Sequence, residues 1–194
     1  MLWPFNHFSK PRSRPSDTIE AIYGMIVAKA REPLFYRDLG VPDTVDGRFD
    51  LILLHMWMVL RRLRRDAAGP DRAQALFDRF CTDMDDNLRE MGVGDLTVPK
   101  RMQAFGEAFY GRAAAYDQAL SEAGDGDRAT DLEPLAQAIC KNILNGKRNG
   151  EGIDNANRLA GYVQATVTGL DRLDEAALLA ASWTFPPLPE GSPQ

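Results

Sequence analysis

A continuous apolar run over residues 51–60, Leu-Ile-Leu-Leu-His-Met-Trp-Met-Val-Leu, sets the tightest limit on what this chain can fold into. His55 is its one polar member; Arg48 and Asp50 precede it, and Arg61, Arg62, Arg64 and Arg65 follow. At helical spacing Phe49, Ile52, Leu53, Met56, Val59, Leu60 and Leu63 make one stripe. Leu51, Leu54, Trp57 and Met58 fall outside that stripe and are apolar too. A helix that is apolar all round must be covered on more than one side, by its own chain, a partner or lipid. A bilayer span needs roughly 20 such residues, so this run is too short to cross a membrane. It predicts the central helix of an all-α domain, with one flank left for another molecule.

The remaining segments supply the cover. A helix over 18–31 has a capping-box-like start in Asp17 and Glu20, buries Ile19, Ile22, Tyr23, Ile26 and Ala30, and stops at Pro33. Pro33-Leu34-Phe35-Tyr36 reads as an apolar connector that packs down. Asp43 and Thr44 offer caps for the apolar helix, which ends near 66–69. The next helix starts at Pro70, a residue favoured in a first turn, with Ala73, Leu76, Phe77, Phe80, Met84, Leu88 and Met91 as its face. Gly92 ends it, with Val93 folding back on the last turn. From Pro99 a further helix shows Met102, Phe105, Phe109, Ala113, Tyr116 and Leu120. Thr130-Asp131-Leu132-Glu133 reads as a capping box for a helix that buries Leu132, Leu135, Ile139 and Ile143 and closes at Gly146. A last long helix carries Ile153, Leu159, Val163, Val167 and Leu170, and a short turn follows over 174–181. The expectation is a single-domain bundle of about six to seven helices over 17–183, with a candidate sub-boundary near 124–129. Flexible segments flank it: a basic and aromatic tail over 1–16 and a proline-rich tail over 184–194.

Charge and cysteine content narrow the function classes. A net charge of −5 argues against nucleic acid as the main partner, because phosphate neutralisation wants a basic face. The opening segment departs from that balance: Trp3, Phe5 and Phe8 precede Lys10, Arg12 and Arg14, with no acid among them. Aromatics beside cations suit the headgroup region of an anionic membrane; the plainer reading is an inert tail. Cys81 and Cys140, far apart on predicted helices, read as reduced thiols, and the first sixteen residues lack the apolar core of a secretory signal. A cytoplasmic compartment is the expectation.

Catalytic and metal motifs are missing where they would be needed. His7 and His55 belong to no Glu-x-x-His pair, and the cysteines and histidines lack zinc spacing. Asp83, Asp85 and Asp86 lack the glycine and the downstream glutamate of a calcium loop; they read as a solvated helix face, with Asp85 placed to pair with Arg89. Gly146-Lys147 has no phosphate-loop context, and no triad assembles around one histidine. No metal, no cofactor and no enzymatic activity are expected. His55 beside Met56 or Met58 leaves haem or quinone binding as an alternative, and a helical adaptor or oligomerisation module is another.

Several strings in order carry a family resemblance. They are Tyr36-Arg37-Asp38-Leu39-Gly40-Val41-Pro42-Asp43-Thr44, Gly47-Arg48-Phe49-Asp50 running into Leu54-His55-Met56-Trp57, and Val59-Leu60-Arg61-Arg62-Leu63. Ala75-Leu76-Phe77-Asp78, the stretch from Asp83 to Asp95, and Ala108-Phe109-Tyr110-Gly111-Arg112 follow. Together they resemble the ubiquinol–cytochrome c chaperone family, over about residues 20 to 182. The resemblance implies an all-helical, non-enzymatic chaperone for cytochrome b of respiratory complex III, working at the inner membrane beside a small partner protein or the ribosome. The chain lacks the long targeting extension of mitochondrial members, so the resemblance implies a bacterial version at the cytoplasmic face. On this reading Leu54, Trp57, Met58, Phe105, Phe109 and Tyr110 form an apolar trough for a client segment. Arg48, Arg61, Arg62 and Arg112 form its charged rim, and Trp3, Phe5, Phe8, Lys10, Arg12 and Arg14 touch the bilayer.

Overall fold

The computed structural model describes residues 15–124, 131–146 and 150–188. Over these the chain is all-α, and no strand occurs among them. The helices are α1 (Pro15–Ala30), α2 (Pro33–Arg37), α3 (Val45–Leu63), α4 (Gly69–Glu90), α5 (Val98–Gly124), α6 (Glu133–Asn142), α7 (Gly150–Asp171) and α8 (Glu175–Leu179). The apolar run lies in α3, and all ten residues from 51 to 60 are buried. α1, α4, α5 and α7 pack around α3, while α6 bridges α5 and α7. An all-round apolar helix in water requires that enclosure, and this chain supplies it from itself.

Local signals place the helix ends. The Thr44 hydroxyl accepts from Gly47 N at 3.1 Å, capping α3. Gly47 is demanded by close approach as well, since a Cβ there would sit 2.0 Å from the Pro42 carbonyl oxygen. Gly92, at φ +79°, ends α4, and Val93 N returns to Leu88 O at 3.0 Å, the fold-back its position predicts. At the start of α6 the Asp131 carboxylate accepts from Glu133 N at 3.0 Å. Thr130, the other member of the expected capping box, lies outside the described residues. α8 is capped by Asp174, which accepts from Ala177 N at 2.7 Å.

Two segments are more ordered than expected. The connector at 33–36 is a turn of helix, α2, which drives Phe35 edge-on against His55 and Tyr162 at 5.4 and 5.5 Å. The proline-rich segment is packed as far as residue 188. Trp183 Nε1 donates to Leu178 O at 3.0 Å, Phe185 meets the His55 ring edge-on at 5.1 Å, and Leu188 rests on the core. The opening segment with Trp3, Phe5, Phe8, Lys10, Arg12 and Arg14, and residues 125–130 at the proposed sub-boundary, lie outside the described residues.

Candidate functional site

Three helices bring an aromatic cluster to one flank of the molecule. Phe49 of α3 packs on Phe105 of α5 at 4.5 Å and on Phe80 of α4 at 6.2 Å. Phe77 of α4 meets Phe109 and Tyr110 of α5 at 5.2 and 5.8 Å. Phe80 and Phe109 are buried, Phe49, Phe77 and Phe105 are half-buried, and Tyr110 is 57% exposed. The cluster therefore has a sealed floor and an open upper layer. Offset and edge-on aromatic pairs each add about 0.5–1.5 kcal/mol beyond area burial, so the floor is stiff.

The trough expected from sequence is in large part filled. Leu54, Trp57, Met58 and Phe109 are each no more than 3% exposed. α5 lies along the flank of α3 that was to stay open, so Trp57 packs on Tyr116 at 5.0 Å and its Nε1 donates to Asp117 at 2.9 Å. Of the six trough residues, Phe105 and Tyr110 reach the surface. The arginines divide likewise. Arg48 is exposed and pairs with Asp43 at 2.8 Å, and Arg61 meets Asp171 at 3.1 Å. Arg62 is buried and does internal work. Its Nε and a terminal nitrogen donate to the carbonyls of Leu170 and Leu173 at 3.1 and 2.6 Å, and it pairs with Asp66 at 2.8 Å. The Leu170 carbonyl belongs to the last turn of α7 and that of Leu173 to the turn beyond it, so Arg62 satisfies a helix terminus rather than lining a rim. Arg112 turns inward to Asp50 at 2.7 Å, joining α5 to α3.

Buried polar groups explain the remaining core chemistry. Asp50 is pushed up to about 6 by burial, against the pull of Arg112 and with the charge of Asp46 adding to the rise. His55 is fully buried between Leu51 O at 2.7 Å and the Tyr162 hydroxyl at 2.8 Å. A carbonyl accepts, so His55 Nδ1–H donates to Leu51 and Nε2 accepts from Tyr162 O–H. Burial pushes this imidazole down to about 4, the Lys29 charge adding a little and the Leu51 bond opposing it. With both ring nitrogens engaged, His55 offers no free ligand to a haem iron. No cluster of three or more His, Cys, Asp or Glu side chains suited to a metal occurs among the described residues. Two acids of the string on α4 are paired: Asp83 accepts from Tyr23 at 2.8 Å, and Asp85 meets Arg89 at 2.6 Å as the spacing predicts, while Asp86 is exposed.

Asp50, Asp117 and Tyr162 were not singled out from sequence. The available signal was indirect: a lone histidine, a tryptophan and an arginine destined for a core each need a polar partner. The described surface includes two concavities. A cleft of about 480 Å³ is lined by Arg31, Pro33, Tyr36, Arg37, Asp43 and Arg48. A smaller one of about 280 Å³ lies between α6 and α7, beside Ala136, Cys140, Ile153 and Ala156. No helix among the described residues is long and apolar enough to cross a membrane.

Known proteins of one kind resemble this chain. The family model described as ubiquinol–cytochrome C chaperone matches residues 37–185. The chain is 28% identical over 162 residues to ubiquinol-cytochrome-c reductase complex assembly factor 1 of Xenopus laevis, covering 82% of this chain and 76% of the frog protein. It is 27% identical over 175 residues to the Homo sapiens protein of that name, covering 89% of this chain and 55% of the human one. Against Protein CBP3, mitochondrial, of Saccharomyces cerevisiae it is 27% identical over 157 residues, covering 79% and 44%. The chain thus spans about half the length of the human and yeast relatives. The crystal structure of the Cbp3 homolog from Brucella abortus superposes with a TM-score of 0.77 at 33% identity, covering 90% of this chain and 91% of that one.

Proposed function

This chain belongs to the ubiquinol–cytochrome c chaperone family, whose members assist assembly of respiratory complex III, and from that premise we propose that it holds newly made cytochrome b through the open aromatic layer of α4 and α5. The observation that carries the reading is the exposed Tyr110 standing with half-buried Phe77 and Phe105 over a sealed aromatic floor. An apolar segment of a membrane protein in water loses about 25 cal/mol for each Å² left uncovered, and aromatic rings cover it at little cost in side-chain freedom. The contact is with one face of a client helix, since the deeper trough is occupied by Trp57, Met58 and Leu54 of the chaperone itself.

The chain acts in this role without catalysis or a cofactor, at the cytoplasmic face of the inner membrane. A small partner protein or the ribosome is a second contact, and the segment with Trp3, Phe5, Phe8, Lys10, Arg12 and Arg14 meets the bilayer. Photo-crosslinkers at Phe105 and Tyr110 should trap cytochrome b in cells, while one at Trp57 should react within the chain. Capture from Trp57 with none from Tyr110 would place the client in the core-side trough and overturn this assignment. Deleting the gene should lower cytochrome b and assembled complex III; unchanged levels of both would defeat the wider reading.

A further inference from the structure

The cleft between the end of α1, α2 and the start of α3 is basic, in a protein whose net charge is −5. Three arginines line it, Arg31, Arg37 and Arg48, with Asp43 as the acid among its lining residues. Arg37 is held by Asp38 at 2.6 Å and Arg48 by Asp43 at 2.8 Å, both on open surface. Arg31 pairs with no carboxylate among the described residues. Tyr36 forms a fixed wall: its hydroxyl donates to Ala30 O at 2.7 Å, and the Arg48 guanidinium stands over its ring at 6.0 Å. The arginines are thus presented from the turn after α1, from α2 and from α3 around about 480 Å³, room for a tetrahedral oxyanion and its substituent.

We propose that this cleft binds the phosphate of an anionic lipid headgroup. Guanidinium forks match phosphate oxygens bidentately, and an exposed ion pair such as Arg48–Asp43 exchanges its carboxylate for a phosphate at small cost. Apolar side chains beside the cleft favour a membrane over a free phosphate as the source. Leu34, between two lining residues on α2, is 38% exposed, and Val45, two residues beyond Asp43, is 69% exposed. Both would enter the interface as the headgroup seats. Such a site would orient the chaperone on the bilayer by its folded domain, independently of the opening segment and of which client it holds.

The test is co-sedimentation of the full chain with vesicles of phosphatidylcholine alone and of phosphatidylcholine with phosphatidylglycerol. Binding should require the anionic lipid. Each arginine removed should weaken it about five-fold, as a cation at an anionic surface implies, so Arg31→Gln with Arg48→Gln gives about twenty-five-fold. Asp43→Asn should tighten it, because a competing carboxylate leaves while the arginines stay. These positions are on the surface, and unchanged helical circular dichroism would show the fold intact. Vesicle binding that neither change alters would overturn the site. In the other arm, inorganic phosphate is compared with chloride at equal ionic strength, following the Arg48 Nε–H resonance. A shift with phosphate but no vesicle binding would overturn the lipid as source, and no response to either probe would overturn the site itself.

Discussion

Lowering pH should expose how much stability rests on keeping His55 neutral. The imidazole has an ordinary value near 6.5, and burial in the folded chain pushes it down to about 4. Below pH 6.5 the unfolded chain takes up a proton that the folded chain refuses, so stability falls as pH drops toward 4. Two and a half units at about 1.36 kcal/mol each give roughly 3 kcal/mol for the whole window. Asp50 works in the opposite sense: its value is raised from 3.8 to about 6, so the folded chain binds that proton first and gains stability over nearly the same range. The wild-type pH profile therefore hides both contributions, and a variant must separate them. His55→Asn keeps a donor for Leu51 O and leaves the Tyr162 hydroxyl unpaired, costing about 1–3 kcal/mol at pH 7. Urea unfolding of both proteins at pH 7, 5.5 and 4.2 gives the difference directly. That difference should shrink with acidification and approach zero or reverse, because only the wild type carries the histidine penalty. Parallel stability curves across the three pH values would refute the neutral buried imidazole.

Three further outcomes follow from the packing. Arg112→Met removes the partner of buried Asp50 and should cost about 3–5 kcal/mol at pH 7, easing below pH 6 as Asp50 protonates; thermal melts at the two pH values read it. Arg62→Met leaves the carbonyls of Leu170 and Leu173 without that donor and should lose about 2–4 kcal/mol, whereas exposed Arg48→Ala should change urea stability by less than about 1 kcal/mol. Gly47→Ala drives a Cβ to 2.0 Å from the Pro42 carbonyl, so the entry to α3 must shift, and a melting temperature lowered by several degrees is the expected reading.

What could be read from residue order was whatever short-range physics decides. The 3.6-residue recurrence in the α4 and α5 stripes, the Thr44 cap, the Gly92 terminator and the Asp85–Arg89 pair all involve residues within about a turn of one another. Their hydrogen bonds and contacts form in the helix itself, so composition at fixed spacing suffices to reveal them. The central place of the 51–60 run was equally legible, since a helix without a polar face has nowhere else to go. Which flank of that helix stayed open was a different question. It turned on Asp117, 60 residues from Trp57, and on Leu170 and Leu173, more than 100 residues from Arg62. A tryptophan bound for a client and one bound for the core look the same along the chain; so do an arginine at a rim and one ending a distant helix. Only the docking of α5 and α7 against α3 separated them, because desolvation and hydrogen-bond satisfaction depend on which distant groups arrive.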